Sequence, residues 1–331
     1  MPAILTHDFF GRDAYADVSS RLGMLSVEEH DAFFLGNQGP DPLFYLVVDP
    51  RVSKGNRVGS LMHHARPARL LLSLHDALSM LTREERPVGE AYAAGFLCHY
   101  ILDRAAHPLV FFNEYAICDA GVDGLDRSDG TEVHAEIERD LDEMVLFTKT
   151  GKTVASYRPY EEVLHASDQT LAVIDKLYFY MNLWTYSRTL DLDCFTRAVK
   201  AFRLMQRLFY TPRRGKAGVL VPAERLLGHK RYSLYGAMSH RVRAERVSAF
   251  DNHDHLPWSH PFVEGVTSTE SFWDIYEDAL EEVFDNVTAF FSPSFDHAAS
   301  LRLARDLNFS GMPVDSDDAG DGKWERRSPT A

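Results

Sequence analysis

The segment 95–108 places polar side chains at a four-residue spacing within an otherwise apolar stretch. His99, Asp103 and His107 recur at positions i, i+4 and i+8, which lie on one narrow face of an α-helix. Because buried polar groups are costly without partners, this face needs a partner inside the fold. Imidazole and carboxylate are both zinc-type ligands, so the sequence predicts a helix that presents a metal site to the interior.

Helical periodicity extends over most of the 331 residues. It predicts helices over 7–22, 57–82, 88–106, 130–147, 160–182, 192–210, 269–291 and 296–307. Strand-like alternation is scarce, so we predict an all-α fold, a multi-helix bundle with a metal cluster in its core and long functional loops. The domain would span residues 1–312, and the polar stretch 313–331 would form a disordered tail.

The charge, the apolar runs and the cysteine spacing of the chain argue against several classes of protein. The chain carries 35 basic and 49 acidic side chains, and the net charge of −14 argues against binding to double-stranded nucleic acid. The N-terminal residues do not show the pattern of a signal peptide, and no uncharged run approaches the roughly 18 apolar residues of a transmembrane helix. The three cysteines have no C-x-x-C spacing, which fits a reducing compartment. We therefore expect a cytoplasmic protein without a transmembrane segment.

A pair of further possible ligands follows His99, Asp103 and His107 in the sequence. His134 and Glu138 stand at i and i+4 on the predicted helix 130–147, so both can face the same ion. Two helices that each offer histidine and carboxylate ligands are typical of metal sites built inside helix bundles. The sequence thus predicts one pocket shared by these two helices.

Further candidates for the metal site lie earlier in the sequence and do not belong to an i, i+4 pair. They are His7, Asp41 in a Gly- and Pro-containing loop, and one of the adjacent residues His63 and His64. Neighbours on a helix point about 100° apart, so only one of the two histidines is expected to face the pocket.

The order of five motifs resembles the zinc-dependent phospholipase C family. The motifs are Thr-His-x-x-x-Gly (6–11), Gly-Asn-Gln-Gly-Pro-Asp (36–41), Met-His-His-Ala-Arg-Pro (62–67), Gly-Phe-x-x-His-x-x-x-Asp-x-x-x-His-Pro (95–108) and His-Ala-Glu-x-Glu (134–138). The likeness spans about residues 5–145 and is greatest to the bacterial cytoplasmic branch, and the family shares its fold and zinc cluster with the single-strand-specific zinc nucleases. A later segment, 254–261, is similar to a stretch common in that branch, and its His255 and Trp258 are candidates for substrate binding.

The resemblance implies a zinc cluster with the following ligands. One ion would be held by His63, His99 and Asp103, a second by His107, His134 and Glu138, and a third by Asp103 and His7, with Asp41 as general base or orienting group. In the secreted members an N-terminal tryptophan contributes to the third site, whereas this chain begins with Met1 and Pro2. We therefore expect either two or three zinc ions.

The function implied by the resemblance is hydrolysis of a phosphate ester, foremost a phosphodiester, by metal-activated hydroxide. The substrate would be a small phosphate ester or a phospholipid. One alternative is a single-strand nuclease or nucleotidase on the same cluster, and another is a metal-stabilised binding protein without turnover. The adjacent pair His75 and Asp76 also suggests phosphohydrolases that use such a pair, but that pattern gives no role to His107, His134 and Glu138.

Overall fold

The computed structural model describes residues 4–48, 58–212, 221–222, 224 and 232–314. Helices account for 66% of the structure and strands for 2%, which confirms the all-α prediction. Among the described residues, every helix is too short or too polar to cross a membrane. Most of the predicted tail, from residue 315 onward, lies outside the described residues.

The α-helices of the described residues are numbered in chain order. They are α1 (Ile4–Leu22), α2 (Val27–Gly36), α3 (Val58–His64), α4 (Pro67–Ala77), α5 (Arg86–Cys118), α6 (Gly130–Thr150), α7 (Pro159–Glu162), α8 (Asp168–Tyr186), α9 (Cys194–Phe209), α10 (Leu234–Met238), α11 (Phe272–Phe290) and α12 (His297–Ala304). Short 3-10 helices cover Asp41–Val48, Leu78–Met80 and Arg127–Asp129. Two antiparallel strands, β1 (Trp258–Ser259) and β2 (Thr267–Ser268), pair Trp258 with Ser268 and Ser259 with Thr267.

The core is organised around α5. This helix has 33 residues, which corresponds to a length of about 50 Å. It packs against α1, α2, α6, α8 and α11, and every residue from 91 to 104 is buried. Because α5 is surrounded by other helices, its polar stripe lies in the interior of the bundle.

Two glycines allow α2 to approach α5 closely. A Cβ atom on Gly36 would lie 2.3 Å from the carbonyl oxygen of Tyr92, and one on Gly95 would lie 2.0 Å from the carbonyl oxygen of Phe33. Only glycine fits at such a crossing of two backbones. The contact sets the end of α2, and the loop that follows it, directly against the polar stripe.

Some predicted helix limits are wrong. The predicted helix 57–82 is interrupted, because Arg66 adopts a left-handed backbone conformation with φ of 54° and Pro67 begins a new helix. The predicted helix 88–106 instead continues past Pro108 to Cys118. Helix α2 was not predicted, although the capping box formed by Ser26 and Glu29 marks its start.

Candidate metal centre

Five elements bring together all eight residues singled out as ligands or base. α1 supplies His7, the 3-10 helix Asp41–Val48 supplies Asp41, α3 supplies His63, α5 supplies His99, Asp103 and His107, and α6 supplies His134 and Glu138. Their side chains are buried, and the most exposed of them, His107, shows 12% of its surface to solvent. We call these eight residues the cluster.

The cluster contains three groups that could each hold a metal ion. The groups are His7, Asp41 and His99, then His63, His99 and Asp103, and finally His107, His134 and Glu138. Within each group the ligand atoms lie within 4.8 Å of one another. His99 belongs to two of the groups, so these two share one imidazole.

Asp103 belongs to the second group and also contacts histidines of the first and third groups. Its Oδ1 atom is 3.0 Å from Nε2 of His7 and 3.6 Å from Nδ1 of His107. Its Oδ2 atom is 3.3 Å from Nε2 of His99. One carboxylate therefore contacts three imidazoles and connects the groups to one another.

Asp41, the first residue of its 3-10 helix, lies beside two of the cluster histidines. Its Oδ1 atom is 2.9 Å from Nε2 of His63 and 3.9 Å from Nε2 of His99. The loop from Gly36 to Asp41 thus places a carboxylate within reach of two imidazoles.

The third group is built around Glu138. Its Oε1 atom is 3.3 Å from Nε2 of His107 and 3.3 Å from Nε2 of His134. The two imidazole rings are nearly stacked, with centroids 5.5 Å apart. The i, i+4 spacing of His134 and Glu138 therefore places both on the face of α6 that meets α5.

Four histidines of the cluster form a hydrogen bond through Nδ1 to an acceptor outside the cluster. The Nδ1–H groups of three of them donate to backbone carbonyls, from His63 to Gly59 at 2.7 Å, from His99 to Asn37 at 3.1 Å and from His107 to Phe309 at 2.7 Å. The Nδ1 atom of His134 lies 2.9 Å from a carboxylate oxygen of Glu114. Such bonds fix the tautomer that leaves Nε2 facing inward without a proton, as metal-binding histidines require.

Sequence reasoning missed two acidic residues that support the cluster. Glu114 is fully buried on α5, seven residues after His107 and therefore on nearly the same face. Asp142 follows Glu138 by one turn, and its carboxylate accepts the backbone N–H groups of Leu5 at 3.0 Å and Thr6 at 2.7 Å. Helical spacing could have found both residues, because each stands at i+4 or i+7 from a predicted ligand.

Phe309, in the segment after α12, also supports the cluster. Its backbone N–H donates to the carbonyl of His63 at 3.2 Å, and its carbonyl accepts from His107. Its ring centroid lies 4.9 Å from that of His63. No local pattern marks the contact with His107, because the two residues lie 202 positions apart in the chain.

The buried carboxylates of the cluster stabilise positive charge on the imidazoles beside them. Burial by itself raises the pKa of Asp103, yet the imidazoles of His107, His99 and His7 hold this pKa well below its usual value. Burial also opposes protonation of His107, but Asp103 and Glu138 raise its pKa to about 9. Metal cations bind at such sites by replacing the protons of the imidazoles.

Within the cluster, as the described residues show it, two imidazole nitrogens lack a hydrogen-bond partner. Nδ1 of His7 and Nε2 of His99 are both buried without one. Buried polar atoms in folded proteins are seldom left unsatisfied. A metal ion coordinated by the cluster would satisfy such atoms, so the residues present fit a metal.

The other histidines near these motifs are placed elsewhere. His63, and not His64, belongs to the metal groups, and its Nε2 lies 2.9 Å from Asp41. Nδ1 of His64 donates to the Ser60 carbonyl at 2.7 Å, and burial lowers the pKa of His64 to about 4. His75 lies 3.1 Å from Asp76, and its ring packs against aromatic residues. This adjacent pair therefore belongs to the contact of α4 with the C-terminal helices.

His255 and Trp258, the residues near β1 that were predicted to bind substrate, do not provide the contact between this segment and the cluster. His255 is exposed, and its Nδ1 donates to the Thr269 carbonyl at 3.2 Å. Trp258 is buried, and its Nε1 donates to the Glu270 carbonyl at 3.0 Å. Among the described residues, the hydrogen bonds and ring contacts of His255 and Trp258 do not involve the cluster.

Phe262 makes that connection instead. Its ring centroid lies 5.1 Å from that of Phe111, whose ring lies 4.8 Å from that of His134. A row of edge-to-face and tilted aromatic contacts therefore runs from the β1–β2 connection to the third metal group.

Comparisons of the chain with models of known protein families, with curated proteins and with solved structures found no match.

Proposed function

We propose that the cluster holds two or three zinc ions and that the protein is a zinc-dependent hydrolase of a phosphate ester, foremost a phosphodiester. The order of the five motifs supports membership of the zinc-dependent phospholipase C family. The observation that carries the proposal is the convergence of eight buried ligand-type side chains in three groups. Imidazole and carboxylate ligands in this number are the donor set of zinc hydrolases.

In this proposal each zinc ion has its own set of ligands. His63, His99 and Asp103 would hold one ion, and His107, His134 and Glu138 would hold a second. His7 would contribute to a third, since it lies beside Asp103 and also belongs to the group of Asp41 and His99. Zinc ions held there would supply a water of lowered pKa and would neutralise the charge of the phosphate.

The charges of the cluster suit an anionic substrate. Asp41, Asp103 and Glu138 are kept ionised, since nearby imidazoles lower all three pKa values in spite of burial. Three negative charges are fewer than the four positive charges of two zinc ions. Glu114, the buried carboxylate beside His134, brings the count to four, so two zinc ions would balance these charges and three would leave a net positive charge that attracts a phosphate ester.

Asp41 is the proposed base. The ionised carboxylate lies beside two Nε2 atoms of the metal-binding histidines, at 2.9 Å from His63 and 3.9 Å from His99. A water that attacks phosphorus there could pass its proton to a carboxylate oxygen of Asp41. Asp41 would also orient that water.

The first experiment measures metal content by mass spectrometry on protein purified without chelator. We expect two or three zinc ions per chain in the wild type, loss of the zinc held by the groups that contain His99 in His99→Ala, and retention of zinc in the control His64→Ala. Fewer than one ion per chain, even after zinc addition, would rule out the metallohydrolase.

The second experiment measures turnover of bis(p-nitrophenyl) phosphate, phosphatidylcholine and single-stranded DNA. Asp41→Asn should keep most of the metal and lose about 100-fold or more of the turnover, as expected for a general base. Wild-type turnover in Asp41→Asn would show that Asp41 is only a loop residue. Preferential cleavage of single-stranded DNA would favour the nuclease alternative.

The burial of the cluster favours a second candidate, a metal-stabilised binding protein without turnover. The cavity that touches His7, Asp103, His107 and Glu138 has a volume of only about 20 Å³. Catalytic zinc keeps a position open to water or substrate. Cobalt-substituted protein decides between the candidates, because its visible spectrum should change on addition of phosphate if a position is open and should stay unchanged if the shell is closed.

A further inference from the structure

Two tyrosine hydroxyl groups converge on the backbone carbonyl of Gly39, in the loop that leads from α2 to Asp41. The hydroxyl oxygen of Tyr178 on α8 lies 2.8 Å from this carbonyl oxygen, and that of Tyr92 on α5 lies 3.3 Å from it. The two hydroxyl oxygens are 2.7 Å apart. The carbonyl group two residues before the proposed base is therefore contacted from two helices of the core.

The distances indicate which hydroxyl group holds the carbonyl. A hydroxyl group has one proton to donate, and 2.8 Å is close to the optimum for an O–H···O bond whereas 3.3 Å is long. Tyr178 therefore donates to Gly39, and Tyr92 donates to the oxygen of Tyr178. Tyr92 and Tyr178 are 0% and 1% exposed, and hydrogen bonds in such a chain strengthen one another where water is excluded.

The sequence of the loop explains why this carbonyl needs a donor from elsewhere. The N–H of Asp41 donates to the carbonyl three residues earlier at 3.1 Å, and that of Leu43 does the same at 3.0 Å. The same spacing would give the Gly39 carbonyl the N–H of residue 42, but this residue is Pro42, which has none. Tyr178 thus supplies the donor that the backbone lacks.

The ring of Tyr178 is fixed by its packing. It is stacked on Phe195 of α9, with centroids 4.2 Å apart and ring planes at 14° to each other. Tyr92 meets both rings edge to face, with centroid distances of 6.1 Å to Tyr178 and 5.7 Å to Phe195. Tyr178→Phe would keep these contacts, so the hydrogen bond can be tested apart from the packing of the core.

We propose that Tyr178 is a positioning residue for Asp41, because its hydroxyl group holds the peptide group between Gly39 and Pro40 and thereby the direction in which the Asp41 carboxylate points. This inference rests on the proposed function, in which Asp41 takes a proton from the attacking water. Burial raises the pKa of Tyr178 well above its usual value, and the charge of Asp41 acts in the same direction, so the hydroxyl group keeps the proton that it donates.

A double-mutant cycle on the turnover of bis(p-nitrophenyl) phosphate tests the link to Asp41. Tyr178→Phe should lower kcat about tenfold and leave KM and zinc content unchanged, since a displaced base costs turnover and not binding. In the Asp41→Asn background the same substitution should change kcat by less than about twofold, because the base is already absent. Equal losses in the two backgrounds, or a wild-type kcat in Tyr178→Phe, would overturn the proposal.

Tyr235 provides a matched control, since its hydroxyl group donates to the Leu208 carbonyl at 2.8 Å, the same distance as between Tyr178 and Gly39. Tyr235→Phe also removes one bond from a tyrosine to a carbonyl and should leave kcat within about twofold of the wild type. The same loss of kcat in both variants would show a general effect on the fold. Loss of zinc from Tyr178→Phe would place its effect on a metal ligand instead of Asp41, and either result would contradict the assignment.

Hydrogen exchange, followed by mass spectrometry on the protein as purified, gives a readout that does not depend on turnover. Peptides that cover residues 37–43 should exchange about fivefold faster in Tyr178→Phe than in the wild type, the effect of one lost hydrogen bond, while peptides of α6 should be unchanged. Unchanged exchange of the loop would overturn the proposal even if kcat falls. A wild type without turnover would refute the hydrolase, and the exchange of the loop would then still decide whether Tyr178 holds the segment that carries Asp41.

Discussion

The Nδ1 atom of His134 on α6 lies 2.9 Å from a carboxylate oxygen of Glu114 on α5. The contact joins the two helices that supply most of the cluster, and Glu114 is fully buried. A carboxylate in this position orients the imidazole and makes its other nitrogen a stronger ligand. α5 therefore supplies three residues to the cluster and also holds a histidine of its neighbour in place.

Replacement of Glu114 by glutamine should weaken metal binding. Glutamine keeps the shape of the side chain but removes the charge, and loss of such a partner typically lowers metal affinity by roughly 10- to 100-fold. Competition with a chromophoric chelator measures the change. Glu90→Gln, at the start of α5 and paired on the surface with Arg86, is the control, and equal affinity of the two variants would contradict the role of Glu114.

Asp142 should stabilise the start of α1. Its carboxylate accepts the backbone N–H groups of Leu5 and Thr6 and the hydroxyl group of Thr6 at 2.7 Å. Asp142→Asn should lower the free energy of unfolding by about 2 kcal/mol, since it leaves buried donors poorly paired. Urea unfolding measures this change, with the exposed Asp17→Asn on α1 as control.

The same variant tests the place of His7. Because His7 directly follows the tethered residues, Asp142→Asn should reduce zinc only at the site nearest His7, and the loss should not exceed one ion per chain. Loss of all zinc from a folded Asp142→Asn protein would show that the cluster does not consist of separable groups.

Local spacing explains why much of the site could be predicted. His99, Asp103 and His107 define a face of one helix, and a buried polar face requires partners, so the pattern alone indicates an interior site. The contact of the Phe309 carbonyl with His107 could not be predicted from local spacing, because it depends on the path of the chain after α12. Periodicity shows which residues share a face, but it does not show which distant segment covers that face.

The errors in helix limits have a similar cause. Pro108 does not end α5, because its position within a buried helix is stabilised by neighbours on several sides. Arg66 breaks the predicted helix 57–82 even though its side chain is compatible with a helix, and its guanidinium donates to the Thr185 carbonyl at 2.8 Å. Both outcomes depend on tertiary contacts that override local propensity.

Gly39 should be required for the position of His99. Its φ is 49°, and a Cβ atom there would lie 2.2 Å from Cδ2 of the His99 ring. Gly39→Ala should therefore displace this ring and reduce zinc binding, in addition to the cost of about 1 kcal/mol for a left-handed alanine. Gly121→Ala is a matched control, because φ is 72° but no atom lies within 4 Å of the added Cβ.

Metal content and urea unfolding of the two glycine variants separate the two effects. Both should lose stability, and only Gly39→Ala should lose zinc. Full zinc content in Gly39→Ala would show that His99 can shift without consequence for the metal.

Glu143 should make the stability of the protein depend on pH. Burial raises the pKa of this carboxyl group to about 7 from its usual value of 4.5, although the backbone N–H of Arg241 and the charge of Arg139 act in the opposite direction. Between these two pH values the folded chain binds the proton that the unfolded chain has released. The contribution of Glu143 is therefore fully present below pH 4.5 and is lost as the pH rises to about 7.

Comparison of the wild type with Glu143→Gln isolates this effect. The free energy of unfolding of the wild type should fall relative to that of the variant by on the order of 3 kcal/mol across the interval. Urea unfolding at a series of pH values from about 4.5 to 8 measures the difference, and Glu281→Gln, at an exposed position of α11, should show the same pH dependence as the wild type. A difference between the wild type and Glu143→Gln that does not change with pH would mean that the Glu143 carboxyl group titrates at the same pH in the folded and the unfolded chain.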